Sequence, residues 1–316
     1  MNGTPALLPP GPADGEAPAV AFARRDPRYL RGVVLVMLAG CFWSLAGLLI
    51  RNIEAASEWQ ILTVRSLTLA VTLVCVLTVR HRGRVVDEFR KVGAAGVIGG
   101  LGLGIGFTGF VFSLNHTTVA NAVFILAASP FVTALLGRLM LGESVRRATW
   151  IAMTVALAGV TVMVVDGMRA GALFGNLAAL AAVLGFAVFA VALRRGRDAD
   201  MLPTVCLAGV FTTIVAGLLA EGVVMSLHDL ALCAAMGVFE LGVGLSLFVA
   251  GSRHVPAAEL ALLSLTEVVL GPLLVWIGVG EAPSALTLVG GAIVFSAITG
   301  QALSGMRRKS PPIGAV

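Results

Sequence analysis

Apolar residues gather along the chain into ten long runs, at 32–50, 59–79, 93–113, 118–138, 147–165, 172–193, 203–220, 231–251, 256–279 and 285–304. Short polar stretches separate them. A bilayer-spanning helix needs about 20 apolar residues, so each run predicts one transmembrane helix. Residues 1–30 are rich in Pro, Gly and Ala, hold no such run and read as a disordered cytoplasmic tail. A cleaved signal peptide does not fit, because the first apolar run starts only after Arg31 and is too long for an h-region. Residues 306–316 form a second cytoplasmic tail, with Arg307, Arg308 and Lys309.

Composition narrows the class. Of 316 residues, 58% are hydrophobic and 12% charged, against roughly 25% charged in an ordinary soluble domain. The mean hydropathy is +0.97. No soluble core could hide that much apolar surface, so the expected fold class is an all-α, polytopic membrane protein. Its short loops leave no room for a separate aqueous catalytic domain, a soluble ATPase module or a receptor head. The net charge of +5 is a topology signal, and nucleic acid is not an expected partner. Cys41, Cys75, Cys206 and Cys233 lie in apolar runs without metal-binding or disulfide spacing and are expected to be buried small hydrophobes.

The basic residues test the span count. With the N-terminus inside and ten alternating spans, 19 of the 22 Lys and Arg residues fall on the cytoplasmic side. Arg51 and Arg169 fall outside, and Arg65 lies within a span. A different count would scramble that bias. The expected location is the inner (plasma) membrane, with both ends cytoplasmic and the lipid bilayer as partner; a homodimer is left open.

The chain also repeats itself. Slid by 138 residues, His116 falls on His254, Ala120 on Ala258, Leu135 on Leu273, Gly142-Glu143 on Gly280-Glu281 and Thr149 on Thr287. The units are 31–166 and 167–305, five helices each. Five is odd, so the second unit enters the membrane inverted. Inverted repeats are a recurrent plan of secondary transporters, with substrate held near the midplane between the halves.

These features resemble the drug/metabolite transporter superfamily, EamA type. In each half the fourth helix has an Ala-rich start and a Gly-Glu end: Ala120-Asn121-Ala122 through Pro130 to Leu141-Gly142-Glu143, and Ala257-Ala258-Glu259 through Pro272 to Val279-Gly280-Glu281. Arg65-Ser66-Leu67 is similar to the family's second-helix arginine. One departure stands out. Pro130 aligns with Val268, and Pro272 comes four residues later, which predicts that the ninth helix bends one turn further along. The resemblance implies a proton- or gradient-driven carrier without cofactor. Such carriers often export amino acids, amines or drug-like compounds.

Charges inside spans carry the candidate chemistry, since a central charge costs about 2.5–3.5 kcal/mol on insertion scales. Glu267 lies about 16 Å into its helix at 1.5 Å per residue, near the midplane. It reads as a proton- or cation-binding carboxylate, or as a neutral carboxyl bonded to backbone. Glu240 is placed to share that site or to make a structural hydrogen bond. Glu259 sits in a first helical turn, where the dipole alone favours it. Asn121 is its repeat partner, fit for a gate or for interhelical glue. Arg65 reads as a partner for a carboxylate, or as snorkelling outward past Trp59. Trp43 and Trp276 fit either a cavity wall or lipid packing. Glu143 and Glu281 fall at helix ends, where loop or cap roles are expected. Gly96, Gly100 and Gly104 line one face of the third helix for a close neighbour. Gly104-x-Gly106-x-x-Gly109 spells a dinucleotide fingerprint but lies deep in an apolar run, without the strand that motif needs.

The expected function is therefore alternating-access transport of a small-molecule substrate, with Glu267 as the prime coupling group. An importer or facilitator of a vitamin or sugar-like solute is the alternative within transport. An intramembrane enzyme would need mid-span His, Asp or Ser clusters, yet His81, His116, His228 and His254 all fall in or beside loops. Costly mid-span charges argue against a passive scaffold.

Overall fold

The computed structural model describes residues 27–117, 119–165, 173–220, 222, 224–280 and 282–306. Among these, ten helices are long and apolar enough to cross a membrane. In chain order the spans are Pro27–Arg51, Glu58–Arg80, Gly93–His116, Asn121–Leu141 and Arg147–Val164, then Leu173–Arg195, Leu202–Leu219, Leu227–Ser252, Ala257–Gly278 and Ala285–Met306. They are numbered 1 to 10 below. Span 1 starts at Pro27, so residues 27–30, which composition alone assigned to the tail, are helical and Tyr29 is buried. Successive spans run in opposite directions, which gives the protein two faces. One carries Arg51 and the start of span 10; the other carries Arg194 and the start of span 9.

Three spans are interrupted and a fourth is locally underwound. Span 1 breaks at Ser44, between Pro27–Trp43 and Leu45–Arg51, where the Ser44 hydroxyl donates to the Cys41 carbonyl at 2.6 Å. Span 4 divides into Val119–Leu126 and Ser129–Leu141, and span 9 into Ala257–Ser264 and Thr266–Val279. Tight i to i−3 bonds mark both divisions, from Ala128 N to Ile125 O and from Leu265 N to Leu262 O. Span 8 contains a π-helix over Met236–Val243. The predicted bend at Pro272 is not where span 9 breaks: Pro272 lies inside the second piece, and the chain turns at Leu265. Leu265 and Ala127 are related by the 138-residue offset, so the two halves break at matching places despite their different prolines. Side chains explain the shift. Ser264 and Thr266 donate to the Ala261 and Leu263 carbonyls at 2.8 and 2.7 Å, a back-bonding that competes with the regular ladder.

Small residues set the close packing. Span 3 faces two neighbours. Gly96, Gly100 and Gly104 lie against Thr204, Ala208 and Thr212 of span 7, whereas Gly102 meets Gly185 of span 6 backbone to backbone. A side chain at Gly102 would reach within 2.9 Å of the Gly185 carbonyl oxygen. Spans 4 and 9 both end on a left-handed glycine, Gly142 at φ +67° and Gly280 at φ +79°, as expected of helix C-termini. Cys206 and Cys233 are buried, but Cys41 and Cys75 are exposed. That corrects the expectation of four buried thiols, because a residue facing lipid is as apolar in its surroundings as one in a core.

Candidate functional site

A cavity of about 710 Å³ lies between the halves, lined by residues of both. Its deep end is near mid-span, at Leu103, Ser129, Phe186 and Leu245; it extends to the Arg51 face past Asn115 and Ser284. Arg65, Glu240, Glu267 and Trp43 all line it. Thus four of the six sequence candidates meet at one site.

Backbone contact places the first pair. Gly237, in the π-helix, touches span 2 so closely that a Cβ there would collide with Thr68 Oγ1 and the Arg65 carbonyl oxygen. Glu240, less than a turn on, then faces Arg65, and its carboxylate lies 3.7 Å from the guanidinium. Arg65 is 1% exposed and Glu240 4%, so Arg65 does not snorkel past Trp59. The guanidinium also lies 5.5 Å from the centroid of the Phe107 ring, a cation–π placement. The pair is incomplete: Arg65 Nε and Glu240 Oε2 have no hydrogen-bond partner. Such orphan atoms are costly in a low dielectric and mark where a ligand or water belongs.

The break in span 9 places the second carboxylate. Gly40 lets span 1 approach Thr266 and the Glu267 backbone, with a hypothetical Cβ only 2.9 Å from Thr266 Cβ. Glu267 opens the second piece of span 9, is half-buried, and has no hydrogen bond or ion pair with any described residue. Its carboxylate and that of Glu240 line the same cavity. Trp43, one turn past Gly40, packs its indole on Phe248 and Phe186 at 5.2 and 6.2 Å. Gly244 leaves room for the indole edge, and the buried Nε1–H has no partner. Trp276, by contrast, faces outward and is exposed.

The other two candidates sit elsewhere. Glu259 accepts a hydrogen bond from the Tyr29 hydroxyl at 2.9 Å and lines a separate cavity of about 210 Å³ toward the Arg194 face. Asn121 donates to Thr117 at 3.3 Å near the Arg51 face. Inversion of the repeat puts these matched positions on opposite sides of the molecule.

The Arg194 face is tied shut by a group that sequence reasoning left as a loop or cap residue. Glu143 Oε1 accepts from Arg194 Nε and Nη2 at 3.0 and 2.9 Å, and its Oε2 accepts from the Ala257 backbone N–H at 3.3 Å. One carboxylate thereby joins the ends of spans 4 and 6 to the start of span 9. Its repeat partner Glu281 lies outside the described residues. On the other face, Asp229 accepts from the backbone N–H groups of Glu54, Ala55 and Ala56 and fixes the loop between spans 1 and 2 to span 8.

Sequence comparison decides the family. The EamA-like transporter family matches residues 30–165 and 173–301, one stretch per half. The chain belongs to the EamA-like transporter family. It is 28% identical over 139 residues to a Vibrio cholerae protein named an uncharacterized transporter, across 43% of this chain and 46% of that one. It is 27% identical over 164 residues to the RarD proteins of Salmonella typhi and Salmonella typhimurium, across 49% of this chain and 52% of theirs. It therefore spans about half the length of these relatives. A solved crystal structure at 20% identity superposes with a TM-score of 0.75 over 88% of this chain and 99% of that one; this likeness shows the fold. The chain is thus a multi-pass membrane protein of a transporter family.

Sequence reading missed several residues of the site. Phe107, Phe110 and Phe186 wall the cavity but look like any core aromatics in an apolar run. Ser129 also lines it and was within reach, since the 138-residue offset places it opposite Glu267. Glu143 was visible, but Arg194, its partner 51 residues away, was counted only as a topology charge.

Proposed function

We propose that this transporter exports small polar or amphipathic metabolites in exchange for protons. Glu267 is the coupling group, and Arg65, Glu240 and Trp43 complete the substrate site. The observation that carries this reading is the partnerless Glu267 carboxylate beside an incomplete Arg65–Glu240 pair in a mid-membrane cavity. A carboxyl so placed is costly as a bare anion, so it binds a proton at one stage and solute at another. The basic loops lie on the Arg194 face, which the positive-inside rule makes cytoplasmic. The cavity then faces outward, the state from which solute leaves and a proton enters.

The test uses purified protein in liposomes loaded with a pool of cellular metabolites. Solute efflux is followed by mass spectrometry with and without an imposed pH gradient. Wild type should release particular solutes, faster with an inward proton gradient. Glu267→Gln keeps size and mimics the protonated state, so it should fold and lose the response to the gradient. A full response in that variant would move the coupling role to Glu240, and inward accumulation of solute would reverse the assigned direction.

A further inference from the structure

The charge count of the cavity names a substrate class, a step that rests on the carrier reading above. Among the described residues, the charged side chains lining it are Arg51, Arg65, Glu240 and Glu267. Arg51 lies exposed at the rim, where water and salt screen it over a Debye length of about 8 Å. Arg65 and Glu240 face each other and cancel. What remains at depth is one negative charge, on Glu267.

We propose that the cavity takes a monovalent organic cation with an apolar body and exchanges it one for one against the proton of Glu267. Each loaded state is then electrically neutral at depth. With the proton bound, Glu267 is an uncharged acid. When the cation enters, the Glu267 O–H bond breaks, the proton leaves to water, and the cation pairs with the carboxylate. No charge is created or lost in the site, so neither state carries a bare ion across the low-dielectric interior.

The lining suits such a guest. Glu240 Oε2 accepts no hydrogen bond and lines the same cavity as Glu267, so it is a second acceptor open to the guest. Trp43, Phe110 and Phe186 offer aromatic surface to a cation and its apolar body. A zwitterion fits less well. Its ammonium would cancel Glu267 but its carboxylate would then be left over, since the one buried cation among the described residues lining the cavity, Arg65, already balances Glu240. An anion would raise the buried charge to two.

Three probes share one phenyl ring and differ in charge: 2-phenylethylammonium, phenylalanine and 3-phenylpropionate. Binding to the full-length protein in detergent is measured by calorimetry, and proton release by an indicator dye in weakly buffered solution. The cation should bind at least about tenfold more tightly than either other probe, which is about 1.4 kcal/mol. It should release up to one proton per bound molecule. Glu267→Gln should release none, and Glu267→Asp should restore release in part. Tighter binding of phenylalanine, binding without proton release, or no binding of the cation would each overturn the proposal. Metabolite efflux from the same protein in liposomes separates that failure from the broader one: efflux of any solute leaves the carrier reading standing, and none overturns both.

Discussion

Arg65 shows how one residue can be expensive and useful at once. Its guanidinium and the Glu240 carboxylate are almost fully buried yet sit 3.7 Å apart, with one nitrogen and one oxygen unpaired. Removing one member of a buried pair strands the other, at about 3–5 kcal/mol. Arg65→Met should therefore lower the melting temperature in detergent, and adding Glu240→Met should recover most of the loss without restoring transport. Arg65→Lys keeps the charge but loses the planar fork and its broad face toward Phe107. At matched expression its efflux should fall at least about tenfold, which corresponds to a loss of about 1.4 kcal/mol in transition-state stabilisation. Wild-type efflux from the Lys variant would show that charge alone suffices. The sequence announced both residues, because a charge inside an apolar run stands out. It did not announce their pairing across 175 positions, which depends on a glycine that lets two backbones touch.

At the scale of elements, the ten helices were legible because crossing a bilayer demands a long apolar run, and few other structures do. The interruptions were harder to read. Proline points to a break, yet span 9 turns at Leu265 because Ser264 and Thr266 bond back to their own helix, a local choice with no marker in hydropathy. The closure of the Arg194 face is likewise an agreement between elements: Glu143 ends one helix, Arg194 ends another, and Ala257 begins a third. Glu143→Gln should loosen that junction and favour the state open to the Arg194 face. In a background lacking the native cysteines, a cysteine at Ser129 should then react faster with a water-soluble thiol reagent applied from that side. An unchanged rate would make Glu143 a helix cap and nothing more.

For the molecule as a whole, inversion is the organising fact. Equal halves inserted in opposite senses put Asn121 and Glu259 on opposite faces while bringing Ser129 and Glu267 together at the centre. Only positions near the middle of a repeat can share a site with their counterparts, so the 138-residue offset found the symmetry before it could find the site. An even number of spans returns both ends to one side. A reporter active only in the periplasm, fused after Lys309, should be silent, and one fused in the loop before span 10 should be active. Activity of the first fusion would overturn the orientation taken from the basic residues.

The π-turn of span 8 has a consequence for how this gene can vary. A π-helix holds an extra residue within an otherwise α-helical rod, so one codon can be lost there without rotating what lies beyond. Deletion of Phe239, whose ring is exposed, should let Met236–Val243 rewind into α-helix while both flanking segments keep their partners. The protein should still reach the membrane and melt cooperatively, but Glu240 would swing away from Arg65 and efflux would stop. The same loss in span 7, α-helical throughout, would turn every later residue of that helix by about 100° and should abolish folding. Length variation among relatives should therefore be found in the underwound turn and be absent from span 7.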